Sequence, residues 1–415
     1  MHYKRISITY IFCFCLLACS TSRFTLNENA NSSFTANNFS TSVSYKEAIE
    51  KFKVNPEILR GMPQKDSMLL ASWNLILNNK CQDAERLLKN TSLVDSYNLL
   101  NTENLLLYNC YYPEQQWKEI KDFTDTISHL KYMKSLSSFY DTFPSCSFYF
   151  DNNIDSSVIP FTGNPHIYIY VWIKNKKYRF LFDSGVSECL ISSKLSNSLN
   201  SSCKFSEPLS LLDGAGNYAN AYPALVPELR LGDVSISNLP VISSERMPSG
   251  CDGIIGWSFL KKLRVTIDYN YKKLIFYKKH LPASENANLF GNVLPFVICN
   301  LKKEATSTRL LMLFDTGSDQ TALFTSNIDI GDTLRFTKKR QTTILRKISY
   351  SAANINNGSF DIFLNKESIY FKKLEVKKRK MPTQYLELNG LLGSDLFRSG
   401  IVEFDFASNY FQFHR

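Results

Sequence analysis

Two short segments of the sequence place a carboxylate beside a hydroxyl and a glycine at the end of an apolar run. Residues 181–185 read Leu-Phe-Asp-Ser-Gly, and residues 313–317 read Leu-Phe-Asp-Thr-Gly. An apolar strand that delivers Asp183 or Asp315 into a turn puts the carboxylate where burial and neighbours can change its pKa. Asp-Ser/Thr-Gly arises by chance about once in a few thousand positions, so a single copy would mean little. Two copies with matching surroundings indicate a pair that acts together.

The surroundings of the two motifs do match. A Gly-apolar-apolar-Gly segment begins at Gly253, 70 residues after Asp183, and another begins at Gly390, 75 residues after Asp315. A further pair, residues 265–269 and 402–406, follows with the same 137-residue offset. A repeat of this length is far longer than a solenoid repeat. The sequence therefore predicts two homologous lobes.

Paired Asp-Ser/Thr-Gly motifs followed by apolar-apolar-Gly loops resemble those of the aspartic peptidases. The short lobes are similar to those of the bacterial retropepsin-like aspartyl proteases, whereas two lobes on one chain resemble the pepsin arrangement. The resemblance covers residues 164–415. It implies a mainly β fold, a bilobal double β-barrel of the aspartic protease type with lobes at residues 145–283 and 284–415.

The resemblance also implies roles for individual residues. Asp183 and Asp315 would be the catalytic pair, with their loops cross-linked by the hydroxyls of Ser184 and Thr316. The remaining implied site residues are those that support the pair, Gly185, Gly317 and Ser318, and those of the apolar-apolar-Gly loops, Ile254, Ile255, Gly256, Leu391, Leu392 and Gly393. Val186 departs from the pepsin-like hydroxyl that Ser318 retains, so we expect the two carboxyls to be chemically unequal.

Two carboxylates held about 3 Å apart cannot both ionise, so they share one proton. The ionised member would take a proton from a water that attacks the peptide carbonyl, and the protonated member would stabilise the developing oxyanion. This chemistry needs no metal and no cofactor.

A glycine-rich hairpin is expected to cover the substrate, as it does in the family. Residues 212–218 have the composition of a hairpin tip, and Gly214, Gly216 and Tyr218 are the flap candidates. The same segment fits a dinucleotide-binding loop, but no strand–helix unit surrounds it. An exposed hairpin without a role is the other alternative. The corresponding flap of the second lobe is expected between residues 344 and 360, where residues 351–358 contain one glycine, so asymmetric flaps are predicted.

The first 19 residues indicate export. Basic residues precede an apolar run too short to be a permanent membrane span, and Leu-Leu-Ala-Cys ends it. This ending resembles a bacterial lipoprotein signal, which implies lipidation of Cys19 and anchoring in the cell envelope. The alternative is a cleaved signal in which Cys19 has no role. Residues 20–43 are rich in Ser, Thr and Asn and predict a flexible tether. The absence of an acidic residue directly after Cys19 favours the outer membrane, facing the periplasm.

Residues 44–140 have helical periodicity and resemble tetratricopeptide-like helix pairs. Such a helical domain could form a groove for a protein partner, or it could be a cap that packs on the lobes. Two disulfides are candidates, Cys81–Cys110 and Cys189–Cys203.

The net charge of +10 includes several Lys-Lys pairs. Such clusters keep strand edges soluble, or attract anionic surfaces. No nucleic-acid motif is present, and the five scattered histidines have no metal-ligand spacing. A monomer that acts on a peptide or protein is expected. The primary hypothesis is an aspartic endopeptidase of the cell envelope, and the alternative is a catalytically inactive lipoprotein that binds peptides or partners with the same fold.

Overall fold

The computed structural model describes most of the chain after residue 63. The described ranges are 64–89, 106–125, 131–151, 154–201, 209–212, 218–284, 287–303, 306–324, 337–342, 348–364, 367–377 and 388–415. The predicted signal, its Cys19 and the predicted tether at 20–43 lie outside these ranges, so they stay predictions.

Helices occupy the described part of residues 64–140. They are α1 (Gln64–Leu77), α2 (Cys81–Lys89), a π-helical turn (Leu107–Tyr111), α3 (Trp117–Asp125) and α4 (Lys131–Tyr140). On α4 the buried side chains Met133, Leu136 and Tyr140 recur at three- and four-residue spacing, which places them on one face. The rest of the predicted helical domain lies outside the described residues, so a tetratricopeptide-like organisation stays a prediction. None of the helices in the described part of the chain is both long and apolar enough to cross a bilayer.

Strands dominate the described residues after 146. In chain order they are β1 (Ser147–Phe150), β2 (Ser156–Pro160), β3 (Ile167–Ile173), β4 (Lys176–Phe182), β5 (Leu190–Ser192), β6 (Leu209–Leu212), β7 (Tyr218–Leu231), β8 (Val234–Ser244), β9 (Gly253–Ile255), β10 (Arg264–Asp268), β11 (Lys273–Tyr277), β12 (Leu289–Phe290), β13 (Phe296–Lys303), β14 (Thr306–Phe314), β15 (Ala322–Phe324), β16 (Thr337–Thr342), β17 (Ile348–Leu364), β18 (Glu367–Lys377), β19 (Gly390–Leu392), β20 (Ile401–Asp405) and β21 (Tyr410–His414). Short helices α5 (Ser193–Leu199) and α6 (Trp257–Leu260) and the 3-10 turns Ser394–Phe397 and Phe406–Ser408 lie between them. The chain is mainly β, as predicted.

The two lobes contain equivalent rings of six strands. Among the described residues, the first lobe forms the sheet β1-β8-β5-β9-β4-β3-β7-β6, in which β7 also pairs with β8. The second lobe forms β12-β13-β14-β19-β15-β18-β17-β16, in which β13 also pairs with β17. Each sheet therefore contains a ring of six paired strands, which is consistent with a double β-barrel. The predicted lobe boundary after residue 283 falls between β11 and β12.

A third sheet joins the lobes. Its order is β2-β11-β10-β20-β21, and the two central strands, one from each lobe, pair antiparallel from Arg264 opposite Asp405 to Asp268 opposite Ile401. Residues 265–269 and 402–406, which repeat in the sequence, therefore meet at the pseudo-twofold axis.

Alternating burial explains why the strands form a core. On β3, Ile167, Ile169 and Val171 are buried, whereas Tyr170 and Trp172 face outward. One apolar cluster built on this pattern runs through both lobes and the shared sheet.

A second apolar cluster joins the helices to both lobes. The Tyr140 hydroxyl lies against the carbonyls of Ala224 at 3.2 Å and Val241 at 2.8 Å. The Gly291 amide of the second lobe donates to the Leu77 carbonyl at 3.3 Å. The described helices therefore pack directly on the β structure.

Candidate active site

The two candidate aspartates leave equivalent strands at the same register. β4 runs parallel to β9 with Phe182 opposite Ile255, and β14 runs parallel to β19 with Phe314 opposite Leu392. One residue further on, the Asp183 amide donates to the Ile255 carbonyl at 3.0 Å. The Asp315 amide donates to the Leu392 carbonyl at the same distance. Both apolar runs are buried, so both carboxylates are carried into the interior at the end of a strand.

The two aspartates meet between the lobes. Both are buried, and their carboxyls lie within hydrogen-bonding reach of each other. The glycine of each motif lies against the aspartate of the other lobe. A Cβ atom added to Gly185 would lie 2.4 Å from Asp315 Oδ1, and one added to Gly317 would lie 2.2 Å from Asp183 Oδ2. Real Cβ contacts are never that short, so the approach of the two carboxyls requires glycine at both positions.

Two hydroxyls cross-link the loops beneath the carboxyls. Ser184 Oγ accepts from the Thr316 amide at 3.0 Å and donates to the Phe314 carbonyl at 2.8 Å. Thr316 Oγ1 accepts from the Ser184 amide at 3.0 Å and donates to the Phe182 carbonyl at 3.1 Å. Both side chains are fully buried and out of reach of water. These four bonds therefore satisfy polar groups that would otherwise be buried without partners.

The two carboxyls receive different numbers of hydrogen bonds. Asp315 Oδ1 accepts from the Gly317 and Ser318 amides, both at 3.0 Å, whereas Asp183 Oδ1 accepts from the Gly185 amide at 3.0 Å. Burial raises the pKa of both carboxyls, and the charge of Asp315 raises the pKa of Asp183 further, to well above its usual range. The amides at Gly317 and Ser318 limit the rise in the pKa of Asp315. The pKa of both carboxyls is therefore raised, and that of Asp183 more strongly, so the pair keeps one proton at a pH at which an isolated aspartate has lost it.

The second oxygen of Asp183 lies against the loop of the other aspartate, beside Gly317. Asp183 Oδ2 is buried and has no hydrogen-bond donor among the described residues. Its neighbour is the other carboxyl, which can bond to it only when one of the two is protonated. A buried acceptor without a donor is costly, so the geometry favours one proton shared by the pair.

Each apolar-apolar-Gly loop supports the aspartate loop of its own lobe. The buried Ile254, Ile255, Leu391 and Leu392 lie in β9 and β19, which pair with β4 and β14. After the glycines, the Trp257 amide donates to the Val186 carbonyl at 2.6 Å, and the Ser394 amide donates to the Ser318 carbonyl at 2.9 Å. A Cβ atom at Gly256 would lie 2.3 Å from the Glu188 carbonyl oxygen, and one at Gly393 would lie 2.4 Å from the Gln320 carbonyl carbon. Close packing therefore requires glycine here as well.

Of the flap candidates, the structure describes the backbone of Tyr218 only, at the start of β7. β6 and β7 form an antiparallel hairpin with Leu212 opposite Tyr218, while Gly214 and Gly216 lie outside the described residues and the Tyr218 side chain is not described. In the second lobe, β16 and β17 pair with Thr342 opposite Ile348. Residues 351–358, within the range in which the second flap was expected, lie in β17, which pairs with β16 and β18.

One cysteine prediction is confirmed and one is wrong. Cys81 and Cys110 form a disulfide. Cys189 is buried six residues after Asp183 and is not disulfide-bonded. Its sulfur instead accepts from the Gly256 amide at 3.4 Å, and its predicted partner, Cys203, lies outside the described residues.

A third repeated element was missed in the sequence. Gly163 and Gly291 both have positive φ, +103° and +94°, and each opens a turn that leads into the strand before the catalytic strand. Both are followed by Asn, a signal that could have been found by searching upstream of each motif. In the first lobe this turn carries His166, whose imidazolium form would oppose the rise in the pKa of Asp315 that burial causes.

Among the described residues, no group of three or more His, Cys, Asp or Glu side chains could hold a metal ion. Comparison with protein families gives one match for this chain, to the model described as "Aspartyl protease", over residues 169–259. This range contains Asp183 and the first apolar-apolar-Gly loop, and it ends before the second lobe. No curated protein matches the sequence. The chain therefore contains an aspartyl protease-like domain.

Proposed function

We propose that the protein is an aspartic endopeptidase in which Asp183 and Asp315 activate one water molecule between the two lobes. The observation that supports this most strongly is the mutual approach of the two buried carboxyls, each against the other lobe's glycine. The second lobe, which the family match does not reach, supplies an equivalent strand, an equivalent register and the second aspartate.

The unequal pair suggests a role for each carboxyl. Asp315, which keeps the negative charge, would take a proton from the water as it attacks the peptide carbonyl. Asp183, which holds the proton, would donate a hydrogen bond to the carbonyl oxygen and stabilise the developing oxyanion. The proton then passes to the leaving amine, and no acyl-enzyme forms. The hydroxyl cross-link of Ser184 and Thr316 would keep both carboxyls in place during these steps.

The substrate and location are part of the same proposal. A peptide or protein segment would lie between the lobes, under the hairpin formed by β6 and β7. Lipidation of Cys19 would hold the enzyme on the outer membrane, facing the periplasm, with residues 20–43 as a tether.

Cleavage of a peptide library by the wild-type protein and by Asp183→Asn and Asp315→Asn, from about pH 3 to 8, tests the proposal. Each substitution removes the acid or the base, so we expect a loss of at least about 10³-fold in kcat. Unfolding temperatures should be retained, because Asn preserves shape and removes a repelling charge. Asp268→Asn, on the shared sheet, is the matched control and should cleave as the wild type does.

Two results would reject the proposal. Retained cleavage by either Asn variant would show that the pair is not the catalyst. A folded wild-type protein that cleaves nothing over this pH range would favour a catalytically inactive protein that binds peptides or partners.

A further inference from the structure

The first lobe's aspartate loop is held from behind by helix α6. The Trp257 and Ser258 amides at the start of this helix donate to the Val186 and Ser187 carbonyls at 2.6 and 2.7 Å. The placement of the loop after Asp183 therefore depends on where α6 lies. Whatever fixes α6 also fixes the loop.

A buried lysine lies at the other end of α6. Lys261 is 4% exposed, and its Nζ donates to Glu114 Oε1 at 2.7 Å and to Asn292 Oδ1. Glu114 belongs to the helical region and Asn292 to the turn that opens the second lobe. A lysine this deeply buried is uncommon, and it is retained only when its charge is paired.

The aspartate loop itself carries a buried carboxyl. The carboxyl of Glu188, five residues after Asp183, is buried, although part of the residue reaches the surface. Burial raises its pKa to about 7, against the attraction of Lys261. Burial also acts to raise the pKa of Glu114. The attraction and hydrogen bond of Lys261 act in the opposite direction and are stronger, so the pKa of Glu114 is lowered overall. The direct contacts of Lys261 are to Glu114 and Asn292, which belong to two regions that are distant in sequence.

The segment that carries Glu114 is fixed by covalent and polar contacts. The Glu114 amide donates to the carbonyl of Cys110, which is bonded to Cys81. Asn292 Nδ2 donates to the Asn109 carbonyl at 3.0 Å, beside the disulfide. The partner of Lys261 is therefore presented by a stiff segment and not by a free loop.

We propose that Lys261 is a positioning residue that couples the helical region to the aspartate loop of the first lobe. Its ammonium binds Glu114 and Asn292, and so fixes α6 and the loop that α6 holds. The helical region, which lies outside the family match, would then be a working part of the active site. The second lobe has no equivalent requirement, because Ser394 and Asp395 fasten its loop from within.

Hydrogen-exchange mass spectrometry tests this coupling in the full chain without relying on hydrolysis. The variants are Lys261→Met, which keeps the length of the side chain, and Glu114→Gln, which removes only the partner's charge. We expect exchange of the peptide covering residues 183–191 to become about tenfold faster in both variants. The matching peptide of the second lobe, residues 315–323, should exchange as in the wild type.

Lys262→Met is the control, because Lys262 also contacts the helical region, through Gln115 Oε1 at 3.2 Å, but is only partly buried. It should leave both peptides unchanged. Equal exchange of residues 183–191 in all proteins would overturn the proposal. So would equal acceleration of both loops, which would mean a general loss of stability. If Lys261→Met fails to fold, Glu114→Gln decides by the same criteria.

The catalytic consequence rests on the proposed function. Since a small displacement of a catalytic loop is costly, both variants should lower kcat about tenfold with KM within about twofold, and Lys262→Met should not. An unchanged kcat beside faster loop exchange would overturn the catalytic part of the inference. If the wild-type protein cleaves no peptide, the proposed function fails while the exchange experiment still decides the coupling.

Discussion

The loop after Asp315 is held by side-chain hydrogen bonds within its own lobe. The loop after Asp183 is held by α6, and the lysine that follows α6 binds residues outside the first lobe. In the second lobe, Asp395 Oδ1 accepts from both the amide and the hydroxyl of Thr321 at 2.7 Å, and Thr321 Oγ1 accepts from the Gly393 amide at 3.0 Å. The first lobe has Cys189 and Ser258 at these two positions. The Cys189 sulfur, a weak acceptor, takes the bond from Gly256 at 3.4 Å.

The two lobes are therefore alike at the paired aspartates and different in the contacts that surround them. The strands, the glycines and the cross-linking hydroxyls are matched, because both carboxyls need the same approach. The surrounding fastenings are not matched, because the helical region covers the Asn292 turn and contacts α6, while Asn164, the counterpart of Asn292, is exposed. The second lobe holds its aspartate loop with its own side chains, whereas the first lobe also uses contacts with the helical region.

The largest expected effect tests the symmetric part of the comparison. Gly185→Ala and Gly317→Ala each place a Cβ about 2.2–2.4 Å from the opposite carboxyl, so the pair must separate. We expect kcat for peptide cleavage to fall at least about 10³-fold in both variants.

Gly232→Ala controls for simple destabilisation, since Gly232 has φ +61° and its Cβ would meet Ser157 and Ile159 away from the aspartates. It should lower the unfolding temperature and keep kcat. If only one of the two active-site variants loses activity, the two lobes do not contribute equally to the approach of the carboxyls.

An intermediate effect tests the asymmetric fastening. Thr321→Val removes a buried hydroxyl that makes two hydrogen bonds, so it should cost about 1–3 kcal/mol of unfolding free energy. Cys189→Val removes one weak bond to sulfur and should cost less than about 1 kcal/mol. Urea denaturation followed by fluorescence measures both. Equal losses would mean that the loops are fastened equally despite their different acceptors.

The smallest effect concerns the shared sheet. Asp405 is buried and accepts from His280 Nδ1 at 2.8 Å and from the Leu281 amide at 2.7 Å, whereas its counterpart Asp268 accepts from the Tyr271 amide at 3.0 Å. The hydrogen bond to Asp405 raises the pKa of His280. Burial alone would raise the pKa of Asp405, but the bonds from His280 and Leu281 lower it overall.

Because the folded pKa of His280 is raised, its stabilisation is fully present below about pH 6.5 and is lost as the pH rises through the folded value. Asp405 contributes above about pH 4 and loses its contribution as the pH falls through its lowered pKa. The wild-type protein should therefore lose less than about 1 kcal/mol of unfolding free energy above about pH 6.5, since His280 is partly exposed. The His280→Gln variant should not show this loss. Unfolding temperatures from pH 4 to 9 measure this, and a wild-type profile that the substitution leaves unaltered would contradict it.

The sequence predicted the elements that repeat. The motifs at Asp183 and Asp315, the apolar-apolar-Gly loops and the paired segments at 265–269 and 402–406 could be aligned by offset alone, and the apolar runs before each aspartate indicated buried strands. The Cys81–Cys110 disulfide formed as predicted. Cys189–Cys203 failed because spacing carries no information on whether a thiol faces a core or another thiol.

The chemistry at Asp183 and Asp315 was thus determined by local residue order, since a strand, a carboxylate and a glycine occur together within five residues. What only the tertiary structure decided is the environment of that chemistry. The unequal number of amides on the two carboxyls, the position of His166 and the contacts of Lys261 depend on segments that lie far apart in the chain. No local pattern encodes such contacts, because the interaction of two charges depends on their separation in space and on their burial, and both exist only after the lobes and helices have packed.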